Sequence, residues 1–162
     1  MSPSPFQAII SASAFSIGIL CDDEEIHAIH YLKPCPELCT KNPLAIEAAN
    51  QIRAYLSDPD FHFLLPLRIS GTTFQRRVWH EVEKIPNRET RTYGEIAKLL
   101  HNAPRAVGQA CGANFFPLVI PCHRVIAAGN KLGGFGGAKK SADENFLLNI
   151  KRWLLAHEHA RT

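Results

Sequence analysis

The hydrophobic pattern of this chain changes its period at Ser70-Gly71. Before this point, three short runs rich in apolar and β-branched residues occupy positions 6–10, 15–20 and 26–32. Such runs are typical of β-strands, whereas the apolar residues beyond the junction recur at helical spacing. A chain of 162 residues can form one domain or two small ones. We therefore predict two domains, 1–70 and 71–162, in a fold of the α/β (α+β) class.

The N-terminal domain is predicted to combine a hairpin with one helix. The acidic turn Asp22-Asp23-Glu24-Glu25 separates the second and third runs, as in a β-hairpin. Apolar residues between positions 46 and 56 have helical spacing, and Asp58-Pro59 ends that helix. Residues 61–69 predict a further strand, which Pro66 would confine to an edge or a bulge.

The C-terminal domain is predicted to be mainly helical. Thr72 and Gln75 have the spacing of a capping box, and Pro86 stops the helix that they begin. Two short helices follow, over about 93–100 and from Pro104 to 110, joined by a tight link in the helix-turn-helix plan. The glycine-rich segment 129–138 predicts a loop that closes over a pocket, and apolar residues from 146 onward predict a terminal helix.

Charge is distributed unevenly along the chain. Residues 1–70 carry four Lys/Arg and eight Asp/Glu, a balance of −4, and residues 71–162 carry fourteen and seven, a balance of +7. Charge alone favours an ordinary solvated surface, and the alternative is a polyanionic partner such as nucleic acid. No apolar stretch approaches the roughly 20 residues of a membrane span, and we expect no secretory signal.

The five cysteines do not suggest a disulfide framework, because their number is odd and their spacing is irregular. A reducing cytoplasm is the simplest setting for them. Four residues of the N-terminal domain could in principle bind zinc, but they lack the paired short spacings of a structural site, so we expect no metal. They are Cys21, His27, Cys35 and Cys39.

One cysteine stands in a motif that predicts chemistry. Cys122 follows Pro121 and precedes His123 and Arg124, after an apolar run at 118–120. Adjacent cations favour a thiolate, so we expect the pKa of Cys122 to lie below the usual value near ~8.5. This pattern predicts a nucleophilic sulfur but does not by itself separate a hydrolase from a transferase.

Four motifs follow one another in the C-terminal half of the chain. They are Gly71-Thr72-Thr73-Phe74-Gln75 with Val78-Trp79, Thr92-Tyr93-Gly94-Glu95-Ile96-Ala97, Arg105-Ala106-Val107-Gly108, and Ile120-Pro121-Cys122-His123-Arg124-Val125-Ile126. Together they resemble the motifs of the O6-alkylguanine-DNA alkyltransferase family. The resemblance covers nearly all of residues 71–162 and matches 1–70 only in outline. It implies an RNase H-like three-stranded N-terminal domain and a winged-helix-like DNA-binding alkyltransferase domain that contains the helix-turn-helix.

The resemblance implies a DNA repair protein that acts as a monomer on double-stranded DNA, without a cofactor. Such a protein rotates an O6-alkylguanine out of the duplex. It then transfers the alkyl group irreversibly to Cys122 by direct displacement, so each molecule acts once. Two alternatives stay open: a non-catalytic module of the same fold that binds alkylated bases, and a general helix-turn-helix regulator.

The resemblance also implies roles around the sulfur. His123 would accept the proton of Cys122, through a bridging water, because adjacent residues in an extended chain point opposite ways. Glu158 would orient His123. Glu144 is an alternative to it, because about nine extra residues separate Phe135 from Lys151 compared with the family pattern. Arg124 is expected to be structural.

The remaining implied roles concern DNA and the substrate pocket. Arg105 would fill the stack vacated by the base, while Ala106 and Gly108 allow close approach of the backbone. Tyr93 would donate to N3 of guanine, and Asn114 would brace the helix-turn-helix against the loop of Cys122. An apolar slot for the alkyl group would be lined by Trp79, Pro117 and Phe135. Contacts to guanine itself would come from the carbonyls of Cys122 and Val125 and from an N–H near Gly136.

Overall fold

The computed structural model describes residues 4–133 and 141–159. The chain divides into two compact units, Met1–Ile69 and Ser70–Thr162. Within the described ranges, no helix combines the length and the apolar character that crossing a bilayer requires.

The N-terminal unit contains a three-stranded antiparallel sheet. Its strands are β1 (Ala8–Ser11), β2 (Ser16–Cys21) and β3 (Ile26–Leu32), in the order β1-β2-β3. The three predicted strands and the hairpin between the last two are confirmed. Asp22 closes the hairpin turn, because its Oδ1 accepts the backbone N–H groups of Glu24 and Glu25 at 2.8 and 2.7 Å.

The helix α1 (Pro43–Ser57) covers this sheet and confirms the predicted helix. Asn42 caps it by accepting the N–H groups of Leu44 and Ala45 at 2.9 and 3.0 Å, and Pro43 stands at its first turn, where a missing N–H costs nothing. The helix buries small and branched residues against strands whose own apolar side chains are fully buried. The buried set includes Ala45, Ala48 and Ile52 from α1 and Ile17, Ile19 and Ile26 from the sheet.

The strand predicted over residues 61–69 is wrong. Only an isolated parallel bridge between Leu67 and Ile26 forms there. Pro66 has no N–H to donate to a ladder, and the backbone of Leu64 is bonded instead to the side chain of Gln51. Gln51 donates from Nε2 to the Leu64 carbonyl and accepts the Leu64 N–H at Oε1, both at 2.9 Å.

The C-terminal unit is mainly helical, and its predicted helices are confirmed. The Thr72–Gln75 capping box is also confirmed. The RNase H-like and winged-helix labels stay predictions. In chain order the elements are α2 (Thr73–Glu83), β4 (Arg91–Thr92), α3 (Tyr93–Leu99), α4 (Pro104–Gly112), a 3₁₀ turn (Cys122–Arg124), β5 (Val125–Ile126), a second 3₁₀ turn (Ala128–Asn130) and α5 (Ser141–His157).

A short parallel ladder brings the helix-turn-helix beside the segment that carries Cys122. Arg91 pairs with Val125, and Thr92 pairs with Ile126. Thr92 is also the N-cap of α3, where it forms a second capping box with Glu95. Because β5 directly follows the 3₁₀ turn, this ladder sets the start of α3, at Tyr93, next to the sulfur-bearing turn.

Candidate active site

Cys122 is the first residue of a tight 3₁₀ turn and is 4% exposed. The turn is held by backbone hydrogen bonds from Cys122 N to the Ile120 carbonyl at 2.8 Å and from Arg124 N to the Pro121 carbonyl at 2.9 Å. The extended chain that we assumed between Cys122 and His123 is therefore wrong.

Asn114 links the end of α4 to this turn. Its amide Nδ2 donates to the Ile120 carbonyl at 2.9 Å and contacts Cys122 Sγ at 3.4 Å. Its Oδ1 accepts the N–H of Phe116 at 2.8 Å, which fixes the orientation of the amide. The side chain therefore presents a donor to the sulfur and ties the sulfur's loop to the helix-turn-helix.

The thiol of Cys122 is protonated at rest, contrary to the sequence-based expectation. The neighbouring thiol of Cys111, followed by burial, raises the pKa of Cys122 well above its ordinary value. The Asn114 amide and the charge of Lys151 oppose this shift without overcoming it. The expectation of a lowered pKa failed because it assigned the charge of Arg124 to the sulfur, whereas that guanidinium is paired elsewhere.

Arg124 and His123 both bind the carboxylate of Glu158. Arg124 donates from Nε to Oε1 at 2.9 Å and from Nη2 to Oε2 at 3.1 Å. The Nε2 atom of His123 lies 2.8 Å from the same Oε2. A carboxylate only accepts, so Nε2 must carry the proton that is donated to it.

This network defines the state of both partners. Burial would raise the pKa of Glu158, but the hydrogen bonds and charges of His123 and Arg124 lower it to about 2. Burial also lowers the pKa of His123, despite the opposing effect of Glu158. Glu158 is therefore an anion at neutral pH, and His123 is a neutral imidazole whose buried Nδ1 has no hydrogen-bond partner among the described residues.

Of the two carboxylates considered from the sequence, the structure brings Glu158 to His123. Glu158 is fully buried at the end of α5, and Glu144 is exposed in the first turns of the same helix. The intervening segment that made the assignment ambiguous includes residues 134–140, which lie outside the described part of the chain.

Tyr93 lies at the start of α3, half-buried against a buried lysine. Lys151 donates from Nζ to the Leu132 carbonyl at 2.6 Å and to the Tyr93 hydroxyl at 3.4 Å, with Nζ 5.5 Å from the tyrosine ring centroid. Gly133 has a φ of +71° and passes so close that a Cβ there would come within 2.9 Å of the Tyr93 ring. Burial lowers the pKa of Lys151 to about 8 and raises that of Tyr93.

Two of these residues were not predicted as functional. Lys151 lies seven residues before Glu158, on the apolar stripe that contains Leu154. A lysine and a glutamate on one buried helix face are costly unless paired, and that was the available signal. Cys111 gave no signal, because its proximity to Cys122 arises only from tertiary packing.

The residues predicted to meet DNA lie along α4. Arg105 is exposed in the first turn of the helix, and Ala106 and Gly108 are half-buried. The position of the Gly108 Cβ, were one present, would be 4.0 Å from the Tyr93 ring, so this face of α4 adjoins the tyrosine. Val125 is buried in β5, directly after the turn of Cys122.

Only part of the predicted apolar slot is described. Trp79 is 2% exposed, and its Nε1 donates to the Ala110 carbonyl at 2.8 Å, which anchors α2 to α4. Pro117 is half-buried in the loop before Cys122. Phe135 and Gly136 lie outside the described residues. Within the described ranges no group of three or more His, Cys, Asp or Glu side chains is arranged to hold a metal ion.

The protein-family model for the DNA-binding domain of 6-O-methylguanine DNA methyltransferase matches residues 73–160 of the chain. The chain belongs to this family. A methylated-DNA–protein-cysteine methyltransferase of Methanosarcina acetivorans is 35% identical over 161 residues, which cover 94% of this chain and 97% of the relative. One from Mycolicibacterium paratuberculosis is 48% identical over 122 residues, covering 74% of this chain and 68% of that relative.

Solved structures of the methyltransferase family have the same fold. The crystal structure of Mycobacterium tuberculosis OGT in complex with DNA has a TM-score of 0.76 and 34% identity, and it covers 93% of this chain and 90% of that one. An O6-methylguanine DNA methyltransferase from Methanococcus jannaschii has a TM-score of 0.65 and 27% identity, covering 95% and 94%. The present chain is accordingly a methyltransferase.

Replacing Glu158 by Gln removes the charge that Arg124 pairs with. We expect Glu158→Gln to lower the free energy of unfolding at pH 7 by about 3 kcal/mol, because Arg124, whose side chain is only 13% exposed, is left without its anionic partner. The pKa of Glu158 in the folded protein is about 2, below its ordinary 4.5. The ionised carboxylate therefore stabilises the fold fully above pH 4.5, and this stabilisation is lost as the pH falls toward 2. Urea unfolding should therefore show a difference between the two proteins that narrows below pH 4.5.

Glu144→Gln is the matched control, since Glu144 is exposed in the same helix. It should change stability by less than about 0.5 kcal/mol. Equal effects of the two substitutions would contradict the buried ion pair.

Proposed function

We propose that this methyltransferase repairs double-stranded DNA by moving the alkyl group from O6 of guanine to Cys122, once per protein molecule. The observation that carries the proposal is the buried thiol of Cys122 beside a neutral His123 that is anchored by the ionised Glu158. The similarity to mycobacterial OGT, whose structure includes DNA, supports the choice of partner.

His123 is the base of the proposed reaction. Its Nε2–H is committed to Glu158, so Nδ1 holds the lone pair that can take a proton. Since His123 and Cys122 share no direct hydrogen bond in the described network, one water between Nδ1 and Sγ would relay the proton. Glu158 then stabilises the imidazolium that forms, as a buried carboxylate does for any histidine base.

The bond changes balance without any further reactant. The S–H proton passes to His123, the sulfur pair forms a bond to the alkyl carbon, and the bond between that carbon and O6 breaks with its electrons going to the guanine. Because the pKa of Cys122 is raised, the thiolate forms as the substrate is engaged rather than at rest. The product is a thioether, a stable linkage, so the transfer ends the activity of that molecule.

Tyr93 and Lys151 are proposed to assist the leaving guanine. Lys151 donates to the Tyr93 oxygen, which directs the tyrosine's own O–H outward as a donor. With a pKa lowered to about 8, Lys151 also holds its proton less tightly than an exposed lysine. A proton supplied through Tyr93 to N3 of guanine would neutralise the charge that develops as the O6 bond breaks.

The target base must leave the duplex before it can reach the buried sulfur. Arg105 is proposed to enter the stack in place of the base, with Ala106 and Gly108 allowing α4 to approach the DNA backbone closely. The reactive thiol also requires a reducing compartment, which supports a cytoplasmic location. We propose that the protein acts as a monomer.

Intact-mass spectrometry tests the transfer directly. After incubation with excess duplex containing O6-methylguanine, we expect every protein molecule to gain one methyl group, located on Cys122. Cys122→Ala should gain none while still binding the duplex, and Cys111→Ala, the matched loss of a buried thiol, should still be methylated. Lesion binding without any gain by the wild-type protein would instead indicate a non-catalytic binding module, and no preference for the lesion would indicate a general regulator.

Arg105→Ala tests the base-flipping step. We expect the rate of methyl transfer from duplex DNA to fall by roughly 100-fold, because an Arg that replaces a stacked base recovers about a few kcal/mol of unstacking. The reaction with free O6-benzylguanine, which needs no flipping, should change by less than about twofold. The control is Arg53→Ala, which removes one positive charge from the N-terminal unit. If Arg105→Ala lowered the transfer rate equally on duplex DNA and on the free base, the proposed role of Arg105 would be refuted.

A further inference from the structure

Arg124 donates three hydrogen bonds, two of them to the active-site carboxylate. Two of them go to the oxygens of Glu158, and the third runs from Nη1 to the carbonyl of Ile85 at 2.9 Å, two residues after the end of α2. The side chain of Arg124 is 13% exposed, and that of Glu158 is fully buried. The guanidinium is therefore held in place at both ends of its planar fork.

Arg124 and His123 share one acceptor atom. Glu158 Oε2 accepts from Arg124 Nη2 at 3.1 Å and from His123 Nε2 at 2.8 Å. A carboxylate that is already paired with a guanidinium attracts a second cation more weakly. In addition, the charge of Arg124 lies within the same small network as the imidazole and opposes a positive charge on it.

We propose that Arg124 is a positioning residue that keeps His123 unprotonated by neutralising Glu158 while holding that carboxylate in line with the imidazole. The proposal rests on the proposed methyl transfer, in which a neutral His123 takes the thiol proton. Without Arg124, the full charge of Glu158 would act on the imidazole alone, and the resulting imidazolium could not accept a proton from Cys122.

The other charges around His123 do not replace this effect. Lys151 on α5 has the same sign as Arg124 and also lowers the pKa of His123, while burial is the largest cause of that lowering. The thiol of Cys122, whose pKa is raised, carries no charge at rest. The charged and titratable side chains of α2, which also packs on the turn, are exposed or half-buried: Arg76, Arg77, His80, Glu81 and Glu83.

The pH dependence of methyl transfer tests the proposal. The rate is measured under saturating duplex containing O6-methylguanine between pH 5 and 8, and its fall on the acidic side reports protonation of the base. For Arg124→Gln, we expect this acidic limb to move upward by about one pH unit, so that transfer at a pH below the limb falls about tenfold relative to the plateau.

Arg124→Lys separates charge from geometry. It keeps the positive charge but loses the bidentate fork, so its acidic limb should stay within about 0.3 pH units of the wild type while its plateau rate falls. A merely structural Arg124 would lower the plateau in both variants and leave both limbs unmoved, which would overturn the proposal. A limb that moves equally in both variants would also overturn it, because charge would then not be the cause.

A substitute pair of variants and a wild-type control keep the test decisive. If Arg124→Gln does not fold, Glu158→Gln is compared with the double variant Arg124→Gln/Glu158→Gln, which leaves no unpaired buried charge. Because neither protein has a carboxylate that Arg124 could neutralise, their acidic limbs should lie within about 0.3 pH units of each other, and a shift of about one pH unit between them would contradict the proposal. Absence of methyl transfer by the wild-type protein would refute the proposed function instead, so the two failures are distinguishable.

Discussion

The buried carboxylate of Glu158 is the charge on which the arrangement of the C-terminal unit depends. Removing an anion from water costs several kcal/mol, and this cost is offset only if good partners surround it. Here the partners are two consecutive residues of one 3₁₀ turn, Arg124 and His123, which together approach both carboxylate oxygens. The end of α5 is thereby tied to the turn that carries Cys122.

The ion pair between Arg124 and Glu158 determines the protonation states of Cys122 and His123. Arg124 is occupied by Glu158, so it does not activate the sulfur, and the pKa of Cys122 stays raised by Cys111 and by burial. His123 stays neutral, with its free nitrogen away from the carboxylate. A protonated, buried thiol is a poor nucleophile toward stray electrophiles. Methyl transfer therefore begins only when a bound substrate allows His123 to take the proton of the Cys122 thiol.

Local patterns in the sequence predicted the fold well. The strands, the capping box at Thr72 and the helix spans depend on neighbours within a few residues, which periodicity and capping chemistry report. The strand expected over residues 61–69 failed because the side chain of Gln51, remote in sequence, bonds the backbone of Leu64. The prediction of a lowered pKa for Cys122 was wrong for the same kind of reason. That pKa depends on the neighbouring Cys111, and Arg124 is paired with Glu158 rather than with the sulfur.

The central claim is that Glu158 holds His123 as a neutral imidazole with its proton on Nε2. Nitrogen-15 NMR of the histidine side chains at pH 7, with His123 assigned by comparison with His123→Gln, measures this directly. We predict one protonated ring nitrogen, Nε2, and an unprotonated Nδ1. Two protonated nitrogens, or a proton on Nδ1 alone, would contradict the account.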